Sequence, residues 1–228
     1  MGTTNLRKLK PLLVIAPLAA TLGGLGGLAA SSPVYVAAGA AGGLVWTALA
    51  ALLTGPLLRL RDRSPRLTDS VTLAAAFVTA LTLGAGLVQH VMYPTPDAYL
   101  HLMRSDAAAG ATGLYMAVNP LLEWLLIPAA LTLAWHTGRQ RRLLLIAAGV
   151  YYLQRITTYL YFAPTVLSWT GTGPVPLPQV ALWLDLDLAR MTLDLTVIAV
   201  LAAAALRRHA SAPFAYPTIA AGGPGRHA

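Results

Sequence analysis

Asp187, Arg190 and Asp194 stand at i, i+3 and i+7, so a helix through them carries two carboxyls and a guanidinium on one face. Glu123 and Arg155 lie far from this trio in sequence, each inside its own apolar run. Carboxyl groups held away from water give and take protons, and a guanidinium steadies an oxygen that gains negative charge. Glu123, Arg155, Asp187, Arg190 and Asp194 are therefore the candidate catalytic residues. Asn119, one turn before Glu123, joins Trp124, Tyr159, Trp183 and His90 as the candidate substrate-binding set. The rings supply an apolar wall with π-faces, and His90, next to Gln89, is placed to relay protons. An interfacial aromatic belt explains many of the same rings, so belt and pocket both stay open.

These groups need elements that hold them, and composition restricts what those elements are. Of 228 residues, 57% are hydrophobic and 11% are charged, against about 25% charged in an ordinary water-soluble domain. The net charge of +8 does not indicate a nucleic-acid partner, because the basic residues sit in short clusters between long apolar runs. The chain has no cysteine, which excludes disulfides, thiolate metal sites and thiol catalysis.

A helix needs about 20 mostly apolar residues to cross a bilayer. Six stretches qualify: Pro11–Ala30, Val34–Leu58, Ser70–Met92, Gly113–His136, Leu143–Ala163 and Gln179–Leu206. None alternates with period two, so the expected fold is all-α, a polytopic transmembrane helix bundle of six spans and not a barrel. Arg7, Lys8 and Lys10 precede the first span, and Arg59, Arg61, Arg63 and Arg66 follow the second. Arg139, Arg141 and Arg142 follow the fourth, and Arg207, Arg208 and Arg226 follow the sixth. The opposite loops carry only Arg104, so both termini are expected in the cytoplasm and the chain in the cell membrane as a multi-pass protein.

Three parts follow: residues 1–69 with two spans and a basic loop, a four-helix unit at 70–208 that carries the polar residues, and a Pro- and Gly-rich tail at 209–228 expected to be disordered. The basic start and the small residues up to Ala30 also fit a cleavable signal peptide, with the same sidedness. The glycine run Gly23-Gly24-Leu25-Gly26-Gly27 lacks the Lys-Ser/Thr of a phosphate loop and is expected to pack helices closely.

An ionisable residue at mid-span costs about 2.5–3.5 kcal/mol on insertion scales, so each needs a partner or a purpose. Counted from the outer ends at 1.5 Å per residue, Glu123, Arg155, Asp187 and Arg190 all fall roughly 10–15 Å deep, with Asp194 nearer the midplane. The expectation is one buried polar cluster between the last three spans, in which three acids face two bases. Its alternative is structural glue, with Arg190 bridging Asp187 and Asp194 while Arg155 pairs with Glu123. Asp185, about 200° around the helix from Asp187, is expected to point elsewhere. His90, His101, His136, Asp97 and Asp106 show no recognised metal-ligand spacing, so neither a metal nor a cofactor is expected.

Tyr161-Phe162-Ala163-Pro164, the later Leu177-Pro178, Trp183-x-x-x-Asp187-x-x-Arg190 and the run Leu201–Leu206 form a pattern. It resembles the anthrone oxygenase-like family of small bacterial four-helix membrane proteins, in which a Tyr-Phe-x-Pro end precedes Trp-x-x-x-Asn-x-x-Arg. Gly84–Pro94, ending in Tyr93-Pro94, is similar to the first helix of that unit, and the resemblance covers about residues 70–206. Asp187 stands where the family has Asn, and Asp194 and Glu123 are extra acids. The resemblance implies cofactor-free oxidation of an anthrone by dioxygen, with Glu123 or Asp194 removing a carbon-bound proton and Arg190 or Arg155 holding the enolate oxygen. A membrane-bound terpene cyclase started by a protonated carboxyl is the second expectation, and a small carrier or structural subunit the third. In each case the partners are the bilayer and, for the enzymes, a lipophilic small molecule.

Overall fold

The computed structural model describes residues 33–64 and 66–206, together with Pro17, Ala20, Thr21 and residues 23–25. Most of the first expected span, the signal-peptide reading and the 209–228 tail lie outside the described residues. The regular structure among those described is all helical, without a strand. Helix α1 is Pro33–Arg63, α2 is Leu67–Met92 and α3 is the short Pro96–Met103. Helix α4 runs through Ala107–Pro120, Leu121–Leu126 and Ile127–Ala134, and α5 through Gly138–Thr157, Thr158–Phe162 and Ala163–Ser168. Helix α6 is Leu177–Leu206.

Among the described residues, four helical runs are long and apolar enough to cross a membrane: Leu67–Met92, Gly113–Ala134, Gly138–Ser168 and Leu177–Leu206. In α1 the apolar stretch is the shorter Val36–Leu49. Large apolar side chains stay exposed along these helices, among them Phe77, Val88, Leu153, Leu182 and Leu195, as a hydrocarbon solvent allows and water does not. Threonines inside the helices bond to their own backbone: Thr72 and Thr79 donate to the carbonyls of Thr68 and Ala75 at 2.7 and 2.8 Å.

Small residues let the helices approach. One core cluster joins Ala75, Ala76, Ala130, Ala134, Ala147, Ala148 and Ala204 to Leu122, Leu144 and Leu201, packing α2, α4, α5 and α6 together. At that end Gln140 Nε2 donates to Asp69 Oδ1 at 3.0 Å and to the Ala204 carbonyl at 3.2 Å, tying α5 to α2 and α6. Gly23 and Gly39 touch backbone to backbone, and a Cβ on either would strike the other's carbonyl.

The opposite end is closed by α3. Pro96 opens it and the Thr95 hydroxyl caps it, accepting from the Ala98 amide at 3.3 Å. Tyr99, Leu100, Leu102 and Met103 then pack on Phe162, Trp169, Val180, Trp183 and Leu184. What the sequence presents as an outer loop is thus a packed helix, with Tyr99 only 3% exposed. Arg104 secures it, donating from Nε to the Trp169 carbonyl at 3.2 Å and from Nη2 to that of Gly173.

Several expected helix ends move, and the second stretch runs on from Leu58 to Arg63. The fifth stretch, expected to close at Ala163-Pro164, runs on to Ser168, because its last turns open into π geometry and take in the proline. The fourth ends at Ala134 instead of His136.

Candidate functional site

Two wide turns position the site. In Leu121–Leu126 and in Thr158–Phe162 the backbone bonds run i to i−5, as in Ile127 N–H to the Leu122 carbonyl and Ala163 N–H to that of Thr158. Each ladder meets a proline at its next step, Pro128 and Pro164, which has no N–H to offer. The carbonyl left without a donor in α4 is that of Glu123, and the Tyr152 hydroxyl supplies the bond at 2.6 Å.

The Glu123 carboxylate, 1% exposed, accepts from Arg155 Nε in an ion pair. The Tyr159 hydroxyl lies 3.0 Å from both of its oxygens, and Arg155 Nη2 donates to that hydroxyl at 2.9 Å. The guanidinium also sits over the Tyr159 ring, 4.7 Å from its centre.

A second set is built on α6. Arg190 directs Nε and Nη2 to Asp187 Oδ1 at 2.8 and 2.7 Å, and His90 Nε2 lies 3.0 Å from Asp187 Oδ2. Arg190 lies over the Phe162 ring, with 5.2 Å to its centre, and Trp183 Nε1 donates to the Phe162 carbonyl at 3.2 Å. Tyr99 stacks on Trp183 at 5.4 Å. Burial in this lid, and next the negative charge of Asp187, push the Tyr99 hydroxyl well above the usual phenol range.

Both sets border one cavity of about 690 Å³, within the range of small-molecule sites. Arg155, Asp187, Arg190 and Asp194 reach it, along with Asn119, Trp124, Tyr159 and Trp183. So do Trp46, Tyr99, Tyr115, Tyr151, Gln154 and the backbone of Gly39, Gly42 and Gly43 on α1. Asp194 lies beside the Gln154 amide within the field of both guanidinium groups.

The expected single cluster is therefore two ion-paired sets facing one chamber. Glu123 itself is sealed behind Arg155 and Tyr159 and does not border the cavity, whereas Asn119 and Trp124 do; the added residue of the wide turn separates Asn119 from Glu123, which a regular helix would keep on one stripe. Arg190 turns to Asp187 in place of bridging to Asp194. Asp185 is exposed. His90 is not at the cavity wall but behind Asp187, where it brings a third base to face the three acids. Among the described residues no three His, Asp or Glu side chains converge as metal ligands.

Sequence reasoning passed over Tyr99, Tyr151, Gln154 and Asp69. Gln154, one residue before Arg155, carried a signal as an amide within an apolar span; the two tyrosines merged into the aromatic belt, and Asp69 fell just before the expected start of its span. Comparison with protein-family models, curated proteins and solved structures finds no match to this chain.

Proposed function

We propose that this chain is a multi-pass enzyme of the cell membrane, with six spans and cytoplasmic termini, that transforms a lipophilic small molecule without a resident cofactor. The observation that carries the reading is the cavity of about 690 Å³ walled by aromatic rings and by Asp187, Asp194, Arg155 and Arg190. Exposed apolar faces on the long helices and the one-sided placement of basic loops support the location and orientation.

The chemistry follows from which carboxyl is free to act. Glu123 is bound to Arg155 and Tyr159 and serves to position the guanidinium. Asp187 is held by Arg190 and His90. Asp194 borders the cavity with an amide neighbour and no guanidinium bond of its own among the described contacts, so it is the proton acceptor in this reading. An anthrone-type substrate loses a C–H proton to Asp194, and Arg190 or Arg155 holds the enolate oxygen. Dioxygen adds to the carbanion carbon, the terminal peroxide oxygen takes the proton, and loss of water leaves a second carbonyl. One dioxygen is consumed and one water released. The similarity to anthrone oxygenase-like sequences around Trp183, Asp187 and Arg190 supports this choice of substrate.

Oxygen uptake by the purified chain with a panel of anthrones tests it. Uptake that stops in Asp194→Asn is expected; no uptake with any anthrone overturns the oxygenase.

The aromatic walls favour a second reading, a redox-neutral cyclase. The protonated Asp194 carboxyl adds its proton to an alkene or epoxide of a prenylated substrate, Trp124, Tyr159 and Trp183 stabilise the cation, and a proton is lost again to the same site. Formation of isomers of a prenyl epoxide without oxygen uptake distinguishes it. For topology, the cysteine-free sequence allows clean single replacements. Ser105→Cys is expected to react with a membrane-impermeant thiol reagent in intact cells and Thr137→Cys only after permeabilisation; the reverse order refutes the orientation.

A further inference from the structure

Asp194 is the acid at the cavity wall that no cation holds. Glu123 is bound by Arg155, and Asp187 by Arg190 and, from behind the wall, by His90. Asp194 forms no ion pair among the described residues; the groups around it are the Gln154 amide, Arg190, Arg155 and Asp187. The Gln154 amide can serve one of its two carboxylate oxygens. Asp194 is 7% exposed, and neither oxygen is among the buried polar atoms that lack a partner, so the remaining oxygen keeps open surface. The residue is otherwise packed inside the bundle and borders the cavity, so that surface faces the cavity.

Charge does not balance around this space. Glu123 with Arg155 and Asp187 with Arg190 cancel, and Asp194, when ionised, leaves one negative charge over. An unbalanced charge away from water is costly, so the site favours a ligand that supplies the missing positive charge and disfavours a carboxylate or a phosphate. The rest of the wall suits a cation with an apolar body. Trp46, Tyr99, Tyr115, Trp124, Tyr159 and Trp183 line it, and ring faces attract cations. The protein already uses that attraction on its own guanidinium groups, Arg155 over Tyr159 and Arg190 over Phe162. Tyr115 lies in the field of Asp194 and Asp187.

We infer that the cavity takes a lipophilic organic cation, an amine or quaternary ammonium, with Asp194 as its counter-ion. A protonated amine also donates an N–H to the open carboxylate oxygen, whereas a quaternary ammonium pairs by charge and ring contact alone. The inference rests on the cavity being a small-molecule site, as proposed above, and goes beyond the reaction by naming a ligand class that covers its proton acceptor.

The test titrates two probes of one shape into the full chain in uncharged maltoside micelles: pyrenylmethyl-trimethylammonium and its neutral carbon isostere, neopentylpyrene. Quenching of tryptophan fluorescence gives each affinity, referred to the probe's own partition into protein-free micelles. The cation is expected to bind about tenfold more tightly. Asp194→Asn should remove most of that preference while the neutral probe binds as before. Asp185→Asn, at an exposed position of the same helix, should leave it intact. Tyr115→Leu should weaken the cation more than the neutral probe, and it decides the matter if Asp194→Asn does not fold. Equal binding of the two probes, or a preference undiminished in the deciding variant, overturns the cation site and leaves the cavity reading standing. An equal loss in Asp185→Asn makes the preference an effect of surface charge and also overturns it. If neither probe binds, both readings fall.

Discussion

Replacing Arg155 by Met removes the cation that faces a carboxylate only 1% exposed. Two unit charges 4 Å apart attract by about 4 kcal/mol at an effective dielectric constant of 20, and breaking a buried pair on one side typically costs about 3–5 kcal/mol. The Tyr159 hydroxyl remains near both carboxylate oxygens, so the expected loss for Arg155→Met is about 3 kcal/mol, at the lower end. The double variant Glu123→Gln, Arg155→Met leaves no uncompensated charge and should recover at least about half of it. Unfolding by added SDS in mixed micelles, followed by far-ultraviolet circular dichroism, gives both values. The reasoning is refuted if Arg155→Met is as stable as the wild-type chain, or if the double variant is no more stable than the single one.

Tyr152→Phe leaves the Glu123 carbonyl without its donor, an expected loss of about 1–3 kcal/mol in the same assay, and adding Pro128→Ala should restore part of it by returning a backbone N–H. Asp194→Asn should abolish turnover with an unchanged unfolding midpoint, whereas Glu123→Gln should retain a measurable rate; retained turnover in Asp194→Asn removes it as the proton acceptor. Gly42 borders the cavity with open space where a Cβ would go, so Gly42→Leu should weaken binding of a lipophilic probe such as pyrene without loss of stability, as measured by fluorescence and unfolding. Tyr99 keeps its proton in the folded state to higher pH than in the unfolded chain, where phenols ionise near pH 10; above about pH 10 the unfolded state therefore binds fewer protons and stability falls as pH rises. Tyr99→Phe should flatten that fall, and an unaltered slope of unfolding midpoint against pH refutes it.

Long apolar runs were legible because they are costly in water, and the charges inside them because each is costly in a bilayer and needs no partner to be noticed. Glu123–Arg155 and Asp187–Arg190 follow from opposite charge at similar depth. His90 beside Asp187 was not legible as a pair: the two are 97 positions apart, and a histidine at a span end has an ordinary interfacial explanation. The prolines at 120, 128 and 164 marked irregular helices, but not that the backbone would widen into π turns, since local sequence does not determine which register the neighbouring helices stabilise. Tyr151 escaped for another reason. Its hydroxyl is buried without a hydrogen-bonding partner among the described residues, and that is a property of the packed structure alone.

The π turns in α4 and α5 each fit one surplus peptide unit into a helix without breaking it. Chains that share this architecture but lack the surplus will align to this one only with a gap inside an apolar segment. Read without that gap, every position beyond it is one residue out of step, about 100° around the helix, so positions that match letter for letter would look into different neighbours.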